Sequence, residues 1–512
     1  MKQRFTLFIL ITLLTFSINT SFCQSGGYLT YVEDLKSLGF SLDDKLAPFY
    51  HGVASGDPLS DRVVIWTRVT PPKREASNSE WKLAFSVSWK VATDTTFTDI
   101  VRNGDIATDE TKDFTVKVDV MGLKPNTTYY YQFEAFGKKS LTGATRTAYG
   151  AIDELPVKLA FADGNNYTTG YFNAYGRIAE MKDLNAVVVV SGYIDEDAGT
   201  TEIRAHIPKI KTETLQDYRN RYAQYHLDKD LMKAHASHPF IVVWEKQKQE
   251  VISEKWNDNN KAAEQAFVEW LPVRVAKGEF QRKLSYGKML EMLMIETQTT
   301  QNTGLIASTN ALLEQDAVFL EQPHREWLTN QLNYSTANWK ILVNRNLMST
   351  INADFEPITN KTYDVWDNHL KDKESLLGFI RSFSLKNIVM VTGGFHNSLG
   401  AEVADAASSY DPQNGRLAAI VEVAIPSISA SNLIDQDSNA GSSAEAKCLN
   451  KAVNPHIKTA NFNDHGFVIM NFTKKETKIN WYYMKENKLN DITKLKSQTE
   501  MTVKNGVSIL EK

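Results

Sequence analysis

The strongest constraint on the fold is a change of pattern at Leu155. Beyond it, short runs that are almost wholly apolar alternate with amphipathic helical stretches. The runs are Val157–Ala162, Ala186–Val190, Phe240–Trp244, Leu290–Ile295, Trp339–Val343 and Asn387–Thr392, and the first helix is predicted over Tyr171–Met181. A strand with one wet face alternates between apolar and polar residues. A run such as Val187-Val-Val-Val190 does not, so both of its faces must be covered. Strands of this kind, alternating with helices, predict buried sheets flanked by helices, an α/β domain over residues 151–486.

Residues 51–150 read differently. Arg62–Arg68, the alternating Trp81–Trp89 and Phe114–Val120 are strand patterns joined by turns. The stretch Leu123-Lys-Pro-Asn-Thr-Thr-Tyr-Tyr-Tyr-Gln-Phe133 resembles the tyrosine corner of fibronectin-III and immunoglobulin-like sandwiches, which implies an all-β Ig/fibronectin-III-like domain ahead of the α/β domain. A chain of 512 residues is too long for one core, in keeping with this division. Residues 24–50 are a leader with some helix around Val32–Gly39, and residues 487–512 read as a polar, exposed C-terminal tail.

The first 23 residues carry Lys2 and Arg4, then an apolar run from Leu7 to Phe16. A membrane-spanning helix needs about 20 apolar residues. The shorter run reads as a secretory signal peptide, cleaved near Phe22-Cys23-Gln24, with lipid attachment at Cys23 as the alternative. Export to the periplasm, the outer membrane or the medium is therefore expected. No other stretch is apolar enough for a transmembrane helix. Two Cys exclude a disulfide scaffold and a Cys-based zinc cluster. A net charge of −4 argues against nucleic acid as a partner.

Several blocks then resemble one family. Phe49-Tyr-His-Gly-Val-Ala-Ser-Gly-Asp-Pro58 with Val63-Val-Ile-Trp-Thr-Arg68 is similar to the opening signature of the alkaline phosphatase D (PhoD-type) family. Asn166-Tyr167 with Gly170–Tyr175, Leu215–Arg221, His235–Phe240, Glu269–Arg274, Trp339-Lys340, Asn387–Ser398, Pro426–Ser429 and Asn454–Phe467 follow in the family's order. The resemblance implies a β-sandwich followed by a metallophosphatase domain with two facing sheets flanked by helices, secretion, and phosphomonoester or phosphodiester hydrolysis at an iron–calcium site.

Two-metal phosphoester hydrolysis needs clustered anionic ligands at the ends of buried strands. The strand ends of this chain depart from the family pattern. Gly164 stands where the resemblance places a Cys ligand. Gly192 stands at the bridging Asp, Asp195 at a Tyr ligand and Gly394 at a further Asp. Glu245 keeps a carboxylate, but Lys246 and Lys248 follow it, and Glu296 and Gln298 replace Asp and Arg. His396 survives. Candidate metal ligands are therefore Asp163, Asp195, Glu245, Glu296 and His396, with Glu196 and Asp197 able to complete a rebuilt carboxylate site for calcium or magnesium. His396, His465 and Asn166 are the catalytic candidates. Each also has a structural reading: a hydrogen-bonded histidine for His396 and His465, a turn residue for Asn166. His235 and His238 could share a helix face, but Pro239 ends that helix.

The sequence thus predicts a secreted homologue that has lost the usual di-metal chemistry and binds a phosphorylated small molecule or an envelope protein. An active phosphomonoesterase or phosphodiesterase with a rebuilt site on Asp163, Asp195, Glu245 and Glu296 is the alternative. A structural envelope component is the third.

Overall fold

Alternate residues of the apolar strands face two different layers. In the computed structural model, Ala186 and Val188 meet a second sheet, while Val187 and Val189 meet helices. The structure describes residues 29–72, 84–199, 203–245, 254–275, 280–297, 319–352, 365–404, 410–411, 415, 417–437 and 440–512. The first 23 residues, read above as a signal peptide and including Cys23, lie outside them, as do Lys246, Lys248 and Gln298.

The first sheet has nine strands, in the order Leu495–Lys504, Glu476–Met484, Gly466–Phe472, Val157–Ala162, Ala186–Val189, Pro239–Val242, Val53–Gly56, Arg62–Arg68 and Thr115–Met121. The second has seven: Arg282–Tyr286, Leu290–Met294, Trp339–Asn344, Ile388–Thr392, Ile420–Ala424, Ser398–Val403 and Ile457–Asn461. Their facing sides share one dry core, in which Leu159, Phe161, Val188 and Ile241 meet Ile341, Val343, Val389 and Val423. Helices Asn173–Ala179, Leu215–His226, Lys229–Ser237 and Glu254–Trp270 supply residues to the outer face of the first sheet. Helices Gln322–Tyr334 and Leu370–Ser382 cover the second. The result is helix, sheet, sheet, helix. Both faces of each central strand are buried, which is why the strands are apolar throughout.

A third, five-stranded sheet is built from Ile100–Thr108, Phe85–Ala92, Thr128–Ala135 and Lys138–Lys139, with Gly143–Arg146 on Thr128–Ala135. It packs on Val53, Val63, Ile65, Val116 and Val120 through Val87, Val91, Tyr131 and Phe133. The Tyr129 hydroxyl accepts a hydrogen bond from the Lys124 amide at 2.9 Å, so the tyrosine closes back on its own turn.

The 51–150 segment is joined to the α/β domain through a shared sheet. One of its two sheets continues the nine-stranded sheet, with Ser55 opposite Pro239 and Gly56 opposite Phe240 in parallel register. Trp66 donates to the Glu269 carbonyl at 2.8 Å, and Arg274 pairs with Asp119 at 2.7 Å, locking the seam. The 487–512 tail is only partly exposed: Leu495–Lys504 pairs with Glu476–Met484 and buries Met501 and Val503. Among the described residues, no helix is long and apolar enough to cross a membrane.

Candidate functional site

The central strands of both sheets run parallel, so the loops leaving their C-terminal ends gather on one side of the molecule. They enclose a cavity of about 410 Å³. Gly164–Asn166 enter it after Val157–Ala162, Ser191–Asp197 after Ala186–Val189, Val243–Glu245 after Pro239–Val242, Arg345 after Trp339–Asn344, and Gly394 and His396 after Ile388–Thr392. Tyr218 and Tyr222 of helix Leu215–His226 and Phe267 of helix Glu254–Trp270 close the far wall. That first helix is set by a capping box in which Thr214 and Asp217 bond each other's backbone.

Of the sequence candidates, Asn166, Asp195, Glu245 and His396 line this cavity together. Asp163 lies beneath it and is fully buried. Its two oxygens accept from the Ser191 hydroxyl at 2.7 Å and the Gly394 amide at 3.0 Å. Burial pushes its pKa up to about 7 against those two hydrogen bonds, with Glu245 adding to the rise. Burial also raises Asp195, to about 6. The Asn166 side-chain amide donates to Asp195, and its oxygen accepts from the Thr168 amide and hydroxyl at 2.9 and 2.8 Å. Asn166 is thereby built into its turn. Arg221 holds the Asp195–Asp197 loop by donating to the carbonyls of Asp195 and Asp197.

Both oxygens of Glu245 are engaged inside the protein. One oxygen accepts from the Gly192 amide at 2.7 Å, and the other pairs with Arg345 at 2.9 Å. Glu296 lies apart, in a narrow recess beside Arg345. His465 is outside the cavity lining. Its Nδ1 is 2.9 Å from the Ser427 hydroxyl and its Nε2 is 2.8 Å from Asp435. Burial raises Asp435, but His465 and Lys488 hold it down at about 2. His235 and His238 are separated by the helix end: Ser237 is the last helical residue, and His238 Nε2 lies 3.1 Å from the Ile178 carbonyl.

Gly164, Gly192 and Gly394 all adopt left-handed backbone, with φ of 59°, 58° and 67°. The conformation favours glycine, and the space is taken. A Cβ on Gly164 would sit 3.0 Å from His396 Cδ2, so the His396 ring stands over the position. One on Gly192 would sit 3.1 Å from Gly164 Cα, and one on Gly394 2.6 Å from the Arg345 carbonyl oxygen. Among the described residues, no three His, Cys, Asp or Glu side chains are grouped so as to hold a metal ion. Among the described residues, Asp163, Asp195, Glu245, Glu296 and His396 are not gathered into the iron–calcium site that the resemblance implies.

Arg345 and the tyrosine wall were not found in the sequence. A search of strand ends for carboxylates and imidazoles passes over an arginine. Tyr218 and Tyr222 lie on a helix face that reads as ordinary core. The available signal was Asn344-Arg345 at the end of a fully apolar run.

Comparison with known proteins agrees with this architecture. The family description "PhoD-like phosphatase" matches residues 159–481, and "PhoD-like phosphatase, N-terminal domain" matches residues 37–149. Alkaline phosphatase D of Bacillus subtilis (strain 168) is 33% identical over 380 residues, covering 69% of this chain and 65% of that relative. Just under two thirds of that relative's length is thus spanned. Among solved structures, "Structure of PhoD" superposes with a TM-score of 0.76 at 26% identity, covering 91% of this chain and 92% of the other. The purple acid phosphatase PPD1 from yellow lupin (Lupinus luteus) seeds gives 0.52 at 10% identity over 88% and 73%, a likeness of fold alone. On both of its matched segments, this chain belongs to the PhoD-like phosphatase family.

Proposed function

We propose that this chain is an exported member of the family that binds a ligand in its strand-end cavity and does not hydrolyse phosphoesters. The observation that carries the reading is the Arg345–Glu245 ion pair beside three left-handed glycines. In a two-metal hydrolase, carboxylates are neutralised by cations that also make hydroxide and clamp the phosphoryl oxygens. Here a guanidinium neutralises Glu245 instead. It supplies no exchangeable water and lowers no water pKa. Gly192 has no side chain to bridge two ions. The N-terminal run with Lys2 and Arg4 supports export. The Tyr129 hydroxyl on the Lys124 amide supports an Ig/fibronectin-III-like N-terminal sandwich.

The test is turnover of p-nitrophenyl phosphate and bis(p-nitrophenyl) phosphate by purified protein supplied with iron and calcium. No release above the buffer rate is expected. Metal-dependent turnover that Asp195→Ala or His396→Ala abolishes would overturn the reading.

A further inference from the structure

We infer that the end of the molecule opposite the cavity docks on an anionic lipid bilayer, which the chain meets on the export proposed above. The cavity lies at the C-terminal ends of the central strands. At their other end stand the turn 150–156 ahead of Val157–Ala162, the turn 287–288 between Arg282–Tyr286 and Leu290–Met294, and the turn 473–475 between Gly466–Phe472 and Glu476–Met484. Apolar side chains stand out into solvent here. Ile152 is 80% exposed, Tyr334 78% and Leu155 45%.

One exposed apolar residue is ordinary. Ile152 differs because its turn is held rigidly. The Gly150 amide donates to the Asp153 carboxylate at 2.8 Å, and the Asp153 amide donates back to the Gly150 carbonyl at 3.0 Å. The Lys288 amide donates to the Asp153 carbonyl at 2.7 Å and clamps the turn from the side. Gly287 permits that approach, since a Cβ there would lie 2.2 Å from the same oxygen. Ala151 and Ile152 are thereby presented at the tip, both exposed. The turns form one surface. The Asn338 amide donates to the Lys288 carbonyl at 2.8 Å, and its side chain reaches the Thr473 and Lys474 carbonyls at 3.3 and 3.4 Å. Tyr334 ends helix Gln322–Tyr334 just before Asn338. The Asn387 side chain donates to the Asn338 carbonyl at 2.9 Å and brings Lys386 alongside. Each of these turns lies inside a described stretch of the chain.

Charge selects the occupant. Lys288, Lys386, Lys474 and Lys475 are all exposed around the apolar tip, on a chain whose net charge is −4. The neighbouring acids are spent within the protein: Asp153 on the Gly150 amide, Glu154 on Lys474, and half-buried Glu476 facing Lys504. A protein partner needs a broad, well-packed patch. A narrow apolar tip ringed by lysines, with a tyrosine beside it, suits a bilayer surface. The tip enters the acyl boundary, Tyr334 sits among the headgroups, and the lysines meet lipid phosphates. Docked in this way, the cavity faces away from the lipid.

The test is sedimentation of the chain from Gln24 onward with vesicles of equal parts phosphatidylcholine and phosphatidylglycerol, and with vesicles of phosphatidylcholine alone. Starting at Gln24 removes the apolar run and Cys23 and leaves every described residue in place. Saturable binding to the anionic vesicles is expected, weak on phosphatidylcholine and lost in high salt. Ile152→Ser/Leu155→Ser should weaken it at least tenfold and Lys288→Gln/Lys475→Gln several-fold, with the fold intact by circular dichroism. Ile100→Ser/Met121→Ser, an exposed apolar pair elsewhere on the surface, should leave it unchanged. Cys448 is fully buried, so a nitrobenzoxadiazole on Ile152→Cys reports that position alone, and its emission should shift to the blue on anionic vesicles. Folded chain that does not sediment with anionic vesicles, binding that survives Ile152→Ser/Leu155→Ser, or a label that does not shift overturns the inference. So does an equal loss in Ile100→Ser/Met121→Ser. The vesicle experiment involves neither the cavity nor turnover, so its failure leaves the non-hydrolytic reading standing, and the failure of that reading leaves the docking face standing.

Discussion

The variant Gly192→Asp/Gly394→Asp places two carboxylates where the resemblance implies them, and it is expected to lose stability without gaining phosphoesterase turnover. Both residues sit in left-handed backbone, at φ 58° and 67°. Holding a side-chain-bearing residue there costs on the order of 1–3 kcal/mol each. Crowding adds to this. A Cβ at position 394 would lie 2.6 Å from the Arg345 carbonyl oxygen, so that turn must move, and it carries the amide that bonds Asp163. New carboxylates would also face Glu245 and Asp163. Two like charges about 4 Å apart cost roughly 4 kcal/mol at an effective dielectric of 20. Without a Cys at Gly164, and with Glu245 held by Arg345, cations have too few ligands to offset the repulsion. Urea unfolding should show a loss of several kcal/mol, and turnover with iron and calcium should stay at the buffer rate. A variant that becomes more stable with those metals, or that turns over, would show that the cradle survives.

Acid should destabilise the protein sharply between pH 7 and pH 5. His51, His206, His226, His235 and His238 are all at most 5% exposed. The rings of His226 and His235 stack at 5.3 Å and share the Tyr193 hydroxyl, at 3.1 and 2.7 Å. Burial holds His206 and His226 down at about 3 and His238 at about 4, and places His51 and His235 well below the usual range. The unfolded chain takes up these protons below about pH 6.5. The native state does not, so their contribution is intact at neutral pH and is lost as pH falls towards the folded values. At pH 5 that amounts to about 2 kcal/mol for each such histidine.

Three carboxylates oppose this loss. Burial raises Asp163 to about 7 and Asp195 and Asp230 to about 6. Their folded values lie above the unfolded one, so they favour the native state as pH falls from 7 towards 4, by roughly 1–2 kcal/mol each by pH 5. Five histidines outweigh three carboxylates. The net loss is several kcal/mol, against a typical total of about 5–15. The urea midpoint should therefore drop steeply from pH 7.5 to 4.5. A flat or rising profile would contradict the burial of these rings as neutral groups.

The four-layer domain was legible because burial on two faces writes itself into a strand as an unbroken apolar run, as at Val187–Val190. The N-terminal seam was not. Pairing Ser55 with Pro239 is a choice between strands far apart in sequence, and nothing local at either one records it. Leu495–Lys504 was read as tail because Lys496, Gln498 and Glu500 give it an exposed edge strand's polar character. Its register on Glu476–Met484 is set by tertiary pairing. At the site, the three glycines were readable: Gly164, Gly192 and Gly394 stand inside well-matched flanks. The Arg345–Glu245 pair was not readable, because it joins residues 100 positions apart and leaves no spacing signature.

The central claim is that this cavity no longer carries the family's metal site. Its most direct test is the metal content of the purified chain, by elemental mass spectrometry after incubation with iron, calcium, magnesium, manganese and zinc and buffer exchange. The account predicts that none remains above a small fraction of one ion per chain. Near-stoichiometric iron or calcium that survives exchange, and that falls away in Asp195→Ala or His396→Ala, would contradict it.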